Sequence, residues 1–446
     1  MQTPTKTHAP FANCASFPEC VRRIRIAILC RHNLSSIEPG EKVHVHSKIM
    51  ALAKQSPVTL FTPHGHASRD MQSQMRIIQV SPPGLRFALA LVLTLFAHRM
   101  EYDCIYSRDL LLVVLAMPMK VLGKSLVIEL NGIPSLEAEI QRQAQRVRQP
   151  KLTPLICGLI RLVEAFAIQC ADLVLPVTTK MKNSIVRDYR TDIKRVVVVP
   201  NAVDTTVFRP LEEDGVEIRR KLGIDKETVV LLVSSFSAKW RGLAQLLRVA
   251  DAIQRKREDI VFLVVGSGPL LQEMKTERPR CEALNRVLFT GAVDQCLVPV
   301  YISAADVYVH DMTPAAGRLI EKEGLCPTKI LESMSCGKPV IAPKETELEN
   351  MLRKSSGGFC AASTEQLEAL IEMFADSPNL AKSMGRNARR YVQLNHDLNR
   401  LTMLKIALIS KVVSSKRDRR AIFGKLAESA TVLSSNMWMA CSHVRL

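Results

Sequence analysis

The chain has 446 residues, 47% of them apolar and 23% charged, which is enough apolar material for two ordinary cores and excludes a largely disordered polymer. Its net charge is +18 and uneven, with 26 Lys and Arg against 14 Asp and Glu in residues 1–200, so the N-terminal half favours an anionic neighbour such as phospholipid headgroups or a phosphorylated acceptor. Aromatics are only 5% and not interleaved with the basic residues, which disfavours nucleic acid, and the twelve Cys include no CxxC pair or zinc-spaced Cys/His cluster, which suits free thiols in a reducing compartment.

Residues 1–21 read as a disordered polar tail without the apolar core of a secretory signal. Strands are then expected at Ile24–Cys30, Val58–Phe61, Ile77–Val80, Cys104–Tyr106, Leu126–Glu129 and Leu173–Val177. Helices are expected between them at Val43–Leu52, Leu85–Ala97, Leu110–Leu122, Leu152–Cys170 and Lys180–Tyr189. The most apolar run, Phe87–Ala97, spans eleven residues between Arg86 and His98–Arg99. A bilayer needs about 20, so a buried helix and a membrane-surface helix both remain open. Arg195–Pro200 closes this half and a turn-rich Asn201–Pro210 follows.

The pattern restarts with strands at Val229–Val233, Val261–Val265, Val287–Phe289, Val307–Val309 and Val340–Ile341. Helices are expected at Gly242–Arg255, Leu270–Met274, Leu297–Ser303, Pro327–Ser335, Thr364–Phe374, Leu380–Val392 and Leu398–Val413. Residues 414–446 form a basic tail. Strands alternating with helices predict an α/β chain of two Rossmann-like, doubly wound domains, with ligands outside the carboxyl edges of the strands and a cleft between them.

The stretch Gly324–Val340 carries the most chemistry. Pro327 suits the first turn of a helix, and Gly337 followed by Pro339 suits its end. The loop 324–327 therefore feeds a helix N-terminus, whose N–H groups attract an anion. Lys329 adds a cation, and Glu332 lies where a carboxylate can accept from ribose hydroxyls; a plain capped helix fits the same spacing. Gly266 and Gly268 form a Gly-x-Gly turn after a strand, a weak dinucleotide signal without its third Gly. Lys239 and Arg241 lie in a βα loop where cations can meet phosphate. On the N-terminal side, Gly40, His44 and Glu129 with Asn131 lie near the edge where an acceptor would sit. His44 and His46 are two apart and point to different helix faces, which argues against a metal pair. His310 and Asp311 end a strand, where a His is more often structural.

Taken together, the stretches VVVVPNAVDTTVFRP, LLVSSFSAKWRGLAQLLRVADA, VFLVVGSGPL, VLFTGAVDQCLVPVYISAADVYV and PTKILESMSCGKPVIA resemble, in order and spacing, the family 4 (group 1) retaining glycosyltransferases of GT-B fold. The resemblance implies an acceptor domain over 22–198, completed by a return helix at 396–413, and a donor domain over 199–395. It implies transfer of a sugar from a nucleotide-diphosphate sugar to a hydroxyl of a glycan or lipid-linked acceptor, with retention and with no metal or other cofactor. Glu332 would bind the ribose, while Gly324, Leu325, Cys326, Pro327 and Thr328 would contact the diphosphate and sugar. Lys239, Arg241, Gly266, Gly268, Val293 and Lys329 would complete the donor site. The family's sugar-facing carboxylate corresponds to position 324, which is Gly here with Glu321 and Glu323 beside it, and its N-domain His corresponds to Asn131. Glu323 and Asn131 are thus the catalytic candidates. A cytoplasmic enzyme, peripheral at an anionic membrane face, follows. Two other readings are a GT-B relative that binds without transferring, motivated by Gly324, and a nicotinamide-dependent oxidoreductase, which lacks its third Gly.

Overall fold

A computed structural model describes residues 24–418 except 33, 35–40, 64, 81–84, 145–153, 235–242, 269–285 and 311–320. Two six-stranded parallel sheets organise it. The first contains β1 (Ile26–Leu29), β2 (Val58–Pro63), β3 (Arg76–Val80), β4 (Cys104–Ser107), β5 (Ser125–Leu130) and β6 (Leu173–Pro176), ordered β3-β2-β1-β4-β5-β6. The second contains β7 (Thr228–Val233), β8 (Ile260–Val265), β9 (Val287–Gly291), β10 (Val307–Val309), β11 (Val340–Pro343) and β12 (Gly358–Ala361), ordered β12-β11-β10-β7-β8-β9. Both are the doubly wound order, with reversal at β1/β4 and at β7/β10, where loops diverge and leave a ligand crevice.

Strands such as IAIL and IVFLVV are apolar throughout because helices cover both sheet faces, and every residue of β1, β2 and β8 is buried. Helices start where a side chain takes the free N–H groups. Asp109 accepts from Leu111 and Leu112, and Glu345 accepts from Glu347 and Leu348. Helix 398–418 lies back against the first sheet, placing Leu401, Ile406, Ile409 and Val413 in one core with Ile26, Ile28 and Leu175.

Arg195–Pro200 closes the first half without joining its ladder: Val196 makes a single bridge to Val174, while the N–H groups of Val197 and Val199 reach Val174 and Pro176. Several expected boundaries move. Leu110–Leu122 breaks into Leu110–Leu115 and Pro118–Val121, because proline at 118 removes an N–H and begins a new turn. The sixth strand of the second sheet, GFCA, escapes a hydrophobicity reading because its first residue is Gly and none is β-branched. Helices Pro134–Ala144, Glu212–Lys221 and Thr346–Ser355 were likewise not expected. The expected helix Leu270–Met274 lies outside the described residues. The eight described cysteines are all free.

Candidate active site

The segment after β10, at the reversal point of the second sheet, meets the helix after β1, at the reversal point of the first. Pro327 is the N-cap with extended backbone (φ −70°, ψ 131°), one position earlier than the spacing suggests, and the helix runs Thr328–Ser335. Facing it is helix Glu41–Gln55. His44 Nε2 stands 3.1 Å from Thr328 Oγ1 and 3.5 Å from Glu332 Oε1. Burial holds the His44 imidazole below its ordinary pKa although Glu332 pulls the other way, so the ring is neutral near pH 7 and works as a hydrogen-bonding group.

Glu332 is fully buried. Its Oε2 accepts from Lys329 Nζ at 3.0 Å, while Oε1 makes no hydrogen bond among the described residues. Both residues lie on one helix face because they are three apart. The carboxylate borders a cavity of about 490 Å³, lined also by His44, Lys48, Asp204, Phe208 and Gln295. A buried acceptor without a donor costs free energy, and here it belongs to a residue that lines the cavity. Lys329 is accordingly committed to Glu332 and is not a free cation aimed at a phosphate.

The linker ties this site together. Asn201 Nδ2 donates to Cys326 O at 2.9 Å, Lys48 Nζ donates to Asn201 Oδ1 at 3.0 Å, and His396 Nδ1 lies 2.9 Å from Asn201 O. One side chain and its carbonyl therefore join helix 41–55, the loop before the helix Thr328–Ser335 and the turn into helix 398–418. Lys48 was not singled out by the sequence reading, yet it lies one turn beyond His44 on the same helix face, a signal the spacing contains.

Glu129, expected on the acceptor side, is closed off from solvent and ion-paired. It is buried at the end of β5, where Lys48 Nζ contacts it at 2.7 Å, Lys405 and Tyr106 bond its other oxygen, and Arg108 Nε lies at 3.8 Å. Burial alone would raise this carboxyl, but Lys405, Lys48 and Arg108 hold it well below the usual range. Burial lowers the Lys48 ammonium to about 8. The group fastens helix 398–418 to the first sheet.

The catalytic candidates come together, but away from the cavity, whose lining includes neither. Glu323 is buried, and its Oε1 accepts from Ile133 N–H at 2.7 Å, two residues past the exposed Asn131. Burial raises the Glu323 carboxyl to about 8, with Glu137 and Glu164 adding repulsion, so it is mostly protonated at neutral pH. The surroundings form a contact between the two halves: Thr178 donates to Glu323 O, Ser184 to Lys322 O at 2.8 Å, and Lys180 pairs with Glu345 at 2.6 Å. Gly324 has φ +65°, and a Cβ there would stand 3.0 Å from Glu347 Cγ and 3.4 Å from Lys180. The position is therefore filled by its neighbours and has a backbone that side chains resist, which explains glycine there.

Of the other expected donor residues, Gly266 and Gly268 follow β8, and Gly266 N–H donates to Gly291 O at 2.9 Å. That bond holds the loop whose residues Asp294, Gln295 and Cys296 line the cavity. Val293, Leu325 and Cys326 pack against the second core. Burial pushes the Cys326 thiol up to about 11, so it is inert. His46 turns away to Asp70 at 3.0 Å, and His310 lies 3.1 Å from Tyr308 OH. Gly40, Lys239, Arg241 and Asp311 lie outside the described residues, among which no group of three metal-ligating side chains gathers.

Comparison with known proteins agrees with this architecture. The family model "Glycosyl transferases group 1" matches residues 215–391 and "Glycosyltransferase Family 4" matches 40–207. The chain is 33% identical over 207 residues to an alpha-monoglucosyldiacylglycerol synthase of Streptococcus pneumoniae, covering 44% of each. It is 26% identical over 198 residues to a GDP-mannose-dependent alpha-(1-6)-phosphatidylinositol monomannoside mannosyltransferase of Mycobacterium tuberculosis, covering 44% of this chain and 50% of the relative. The alignments thus span about half the length of these curated relatives. Among solved structures, sucrose-phosphate synthase of Thermosynechococcus elongatus superposes with a TM-score of 0.68 at 19% identity, covering 88% of this chain and 100% of that one. Anabaena HepE in complex with UDP-glucose superposes at 0.64 with 19% identity, covering 88% and 100%. With one family model on each half and the GT-B arrangement of two parallel sheets, the chain belongs to the group 1, family 4 glycosyltransferases.

Proposed function

We propose that this chain transfers a sugar from a nucleotide-diphosphate sugar to a hydroxyl of a glycan or lipid-linked acceptor, with retention at the anomeric carbon. The observation that carries the reading is Glu332, buried with one oxygen lacking a hydrogen bond at the edge of the 490 Å³ cavity. That oxygen suits the two vicinal hydroxyls of a ribose, and the N-terminus of the helix Thr328–Ser335 suits the diphosphate. Arg241 and Lys239, which precede helix Leu243–Gln254 in sequence, are the cations assigned to the leaving group. His44, neutral and facing the cavity, belongs to the same site as a hydrogen-bonding partner. The named activities of the relatives, a glucosyl- and a mannosyltransferase on lipids, support a lipid-linked acceptor. Among the described residues no helix is long and apolar enough to cross a membrane, and the proposed location is the cytoplasmic membrane face.

The filled position at Gly324 and the buried Glu323 favour one second reading, a relative that binds nucleotide without transferring sugar. A panel of UDP- and GDP-sugars, screened first by thermal shift and then by mass spectrometry of products with lipid extracts, separates the two. Stabilisation by a donor together with a glycosylated lipid supports transfer. Stabilisation with neither transfer nor donor hydrolysis supports the second reading, and no stabilisation by any donor refutes both.

A further inference from the structure

The chain crosses between its two halves twice, at the linker after Pro200 and at the turn before helix 398–418, and hydrogen bonds stitch the two crossings together. Val203 N–H donates to His396 O at 2.9 Å, Leu398 N–H donates to Val203 O at 3.0 Å, and Thr205 Oγ1 donates to Asp397 Oδ2 at 2.7 Å. Burial holds the His396 imidazole below its ordinary pKa, so the neutral ring carries one proton. Asn201 O only accepts, which places that proton on Nδ1. The backbone of Asn201, a residue only 8% exposed, is thereby pinned at the seam.

Its side chain has one orientation available. The Lys48 ammonium only donates, so the amide turns Oδ1 toward it. This aims Nδ2 at a group that only accepts, Cys326 O at 2.9 Å. Lys48 is itself fixed by Glu129 Oε1 at 2.7 Å, and the other oxygen of Glu129 by Lys405 and Tyr106. The bonds from the buried charge group of the first half to the loop of the second therefore run in a single direction, with Asn201 as the link between them.

Cys326 O belongs to the peptide that enters Pro327. That peptide is planar, and the proline ring fixes the next rotation, here at φ −70°. Holding the Cys326 carbonyl therefore sets the direction in which the chain enters the helix Thr328–Ser335, and with it the aim of the first free N–H groups. The contact of His44 with Thr328 Oγ1 acts through a side chain and leaves that peptide plane unconstrained.

We propose that Asn201 is a positioning residue of the donor site: by fixing the Cys326 carbonyl it aims the N-terminus of the helix Thr328–Ser335 at the diphosphate. Asn201 does not line the cavity, so the nucleoside end of the donor, held at Glu332, is outside its reach. The role rests on the donor-site reading of Glu332 and this helix. The test compares the parent chain with Asn201→Leu, which keeps the shape of the side chain and adds no charge. UDP, GDP and ADP are titrated into the parent by calorimetry, and the nucleoside of the tightest is measured by displacement of that diphosphate. In Asn201→Leu the diphosphate affinity falls about tenfold, as for one lost hydrogen bond that sets a charged site, while the nucleoside affinity stays within about twofold of the parent's. Unchanged diphosphate affinity in the folded variant, or an equal fall for the nucleoside, overturns the positioning role and leaves the donor site standing. If Asn201→Leu does not fold, Asn201→Ser replaces it, and if neither folds the residue is structural and the proposal fails. No binding of any diphosphate by the parent overturns the donor-site reading and this role with it.

Discussion

Replacing Glu332 by Gln separates ligand binding from stability more cleanly than any other single change. In the free chain Glu332 is a liability, because its carboxylate is fully buried and only one oxygen has a donor, Lys329 at 3.0 Å. Glutamine keeps the volume and an acceptor for Lys329 while removing the desolvated charge. The lost pair is partly wet on the Lys side, with side-chain exposures of 25% and 1%, so the change in folding stability stays within about 1 kcal/mol of zero. Binding behaves differently. A carboxylate accepting from hydroxyls makes charge-assisted hydrogen bonds worth about 1.5–3 kcal/mol, so the dissociation constant of a nucleotide sugar rises about 10- to 150-fold. Calorimetry with the best donor reads the affinity, and thermal melting of the ligand-free variant reads the stability. An affinity within about twofold of the parent would refute the assignment of Glu332 to the nucleotide. So would a stability loss above about 3 kcal/mol, which would make the residue structural.

Three further outcomes follow from the same geometry. Lys405→Met removes one cation from the buried group around Glu129 and costs about 3–5 kcal/mol in urea unfolding; a cost below about 1 kcal/mol would mean that the group does not hold helix 398–418. Glu323, raised to about 8 in the folded chain by burial, binds more protons folded than unfolded between its ordinary carboxyl pKa and 8. Its contribution is therefore fully present below the ordinary pKa and declines as pH rises through 8, and Glu323→Gln removes a fall in stability on the order of 2–5 kcal/mol between about pH 5 and 9; identical pH profiles of the two proteins would contradict this. Gly324→Ala, forced into a left-handed backbone beside Glu347, lowers stability by about 1–2 kcal/mol, and an unchanged melting temperature would show that the loop moves freely.

Much of the fold was legible because it is local. Runs such as IRIAILC and VFLVVG declare buried parallel strands through uninterrupted β-branched and aliphatic residues. Pro327 and Gly337 bracketed the key helix to within a residue. GFCA and the helix Thr346–Ser355 were missed because the first opens on Gly and has no β-branched residue and the second needs Glu345 as its cap, a role set by backbone geometry.

The functional residues divide along the same line. Helical spacing placed Glu332 beside Lys329 and sent His44 and His46 in opposite directions, since both depend only on positions along one helix. Glu129 and Glu323 looked alike in sequence, as acids near strand ends or loops. Tertiary structure made one the anchor of a returning helix and the other a mostly protonated acid in the contact between the two halves, because a carboxylate's role is set by which charges and which solvent surround it. The run Phe87–Ala97 announced its apolar character and the length that rules out a span. Which of its side chains face outward was decided only by the packing of helices distant in sequence on one sheet.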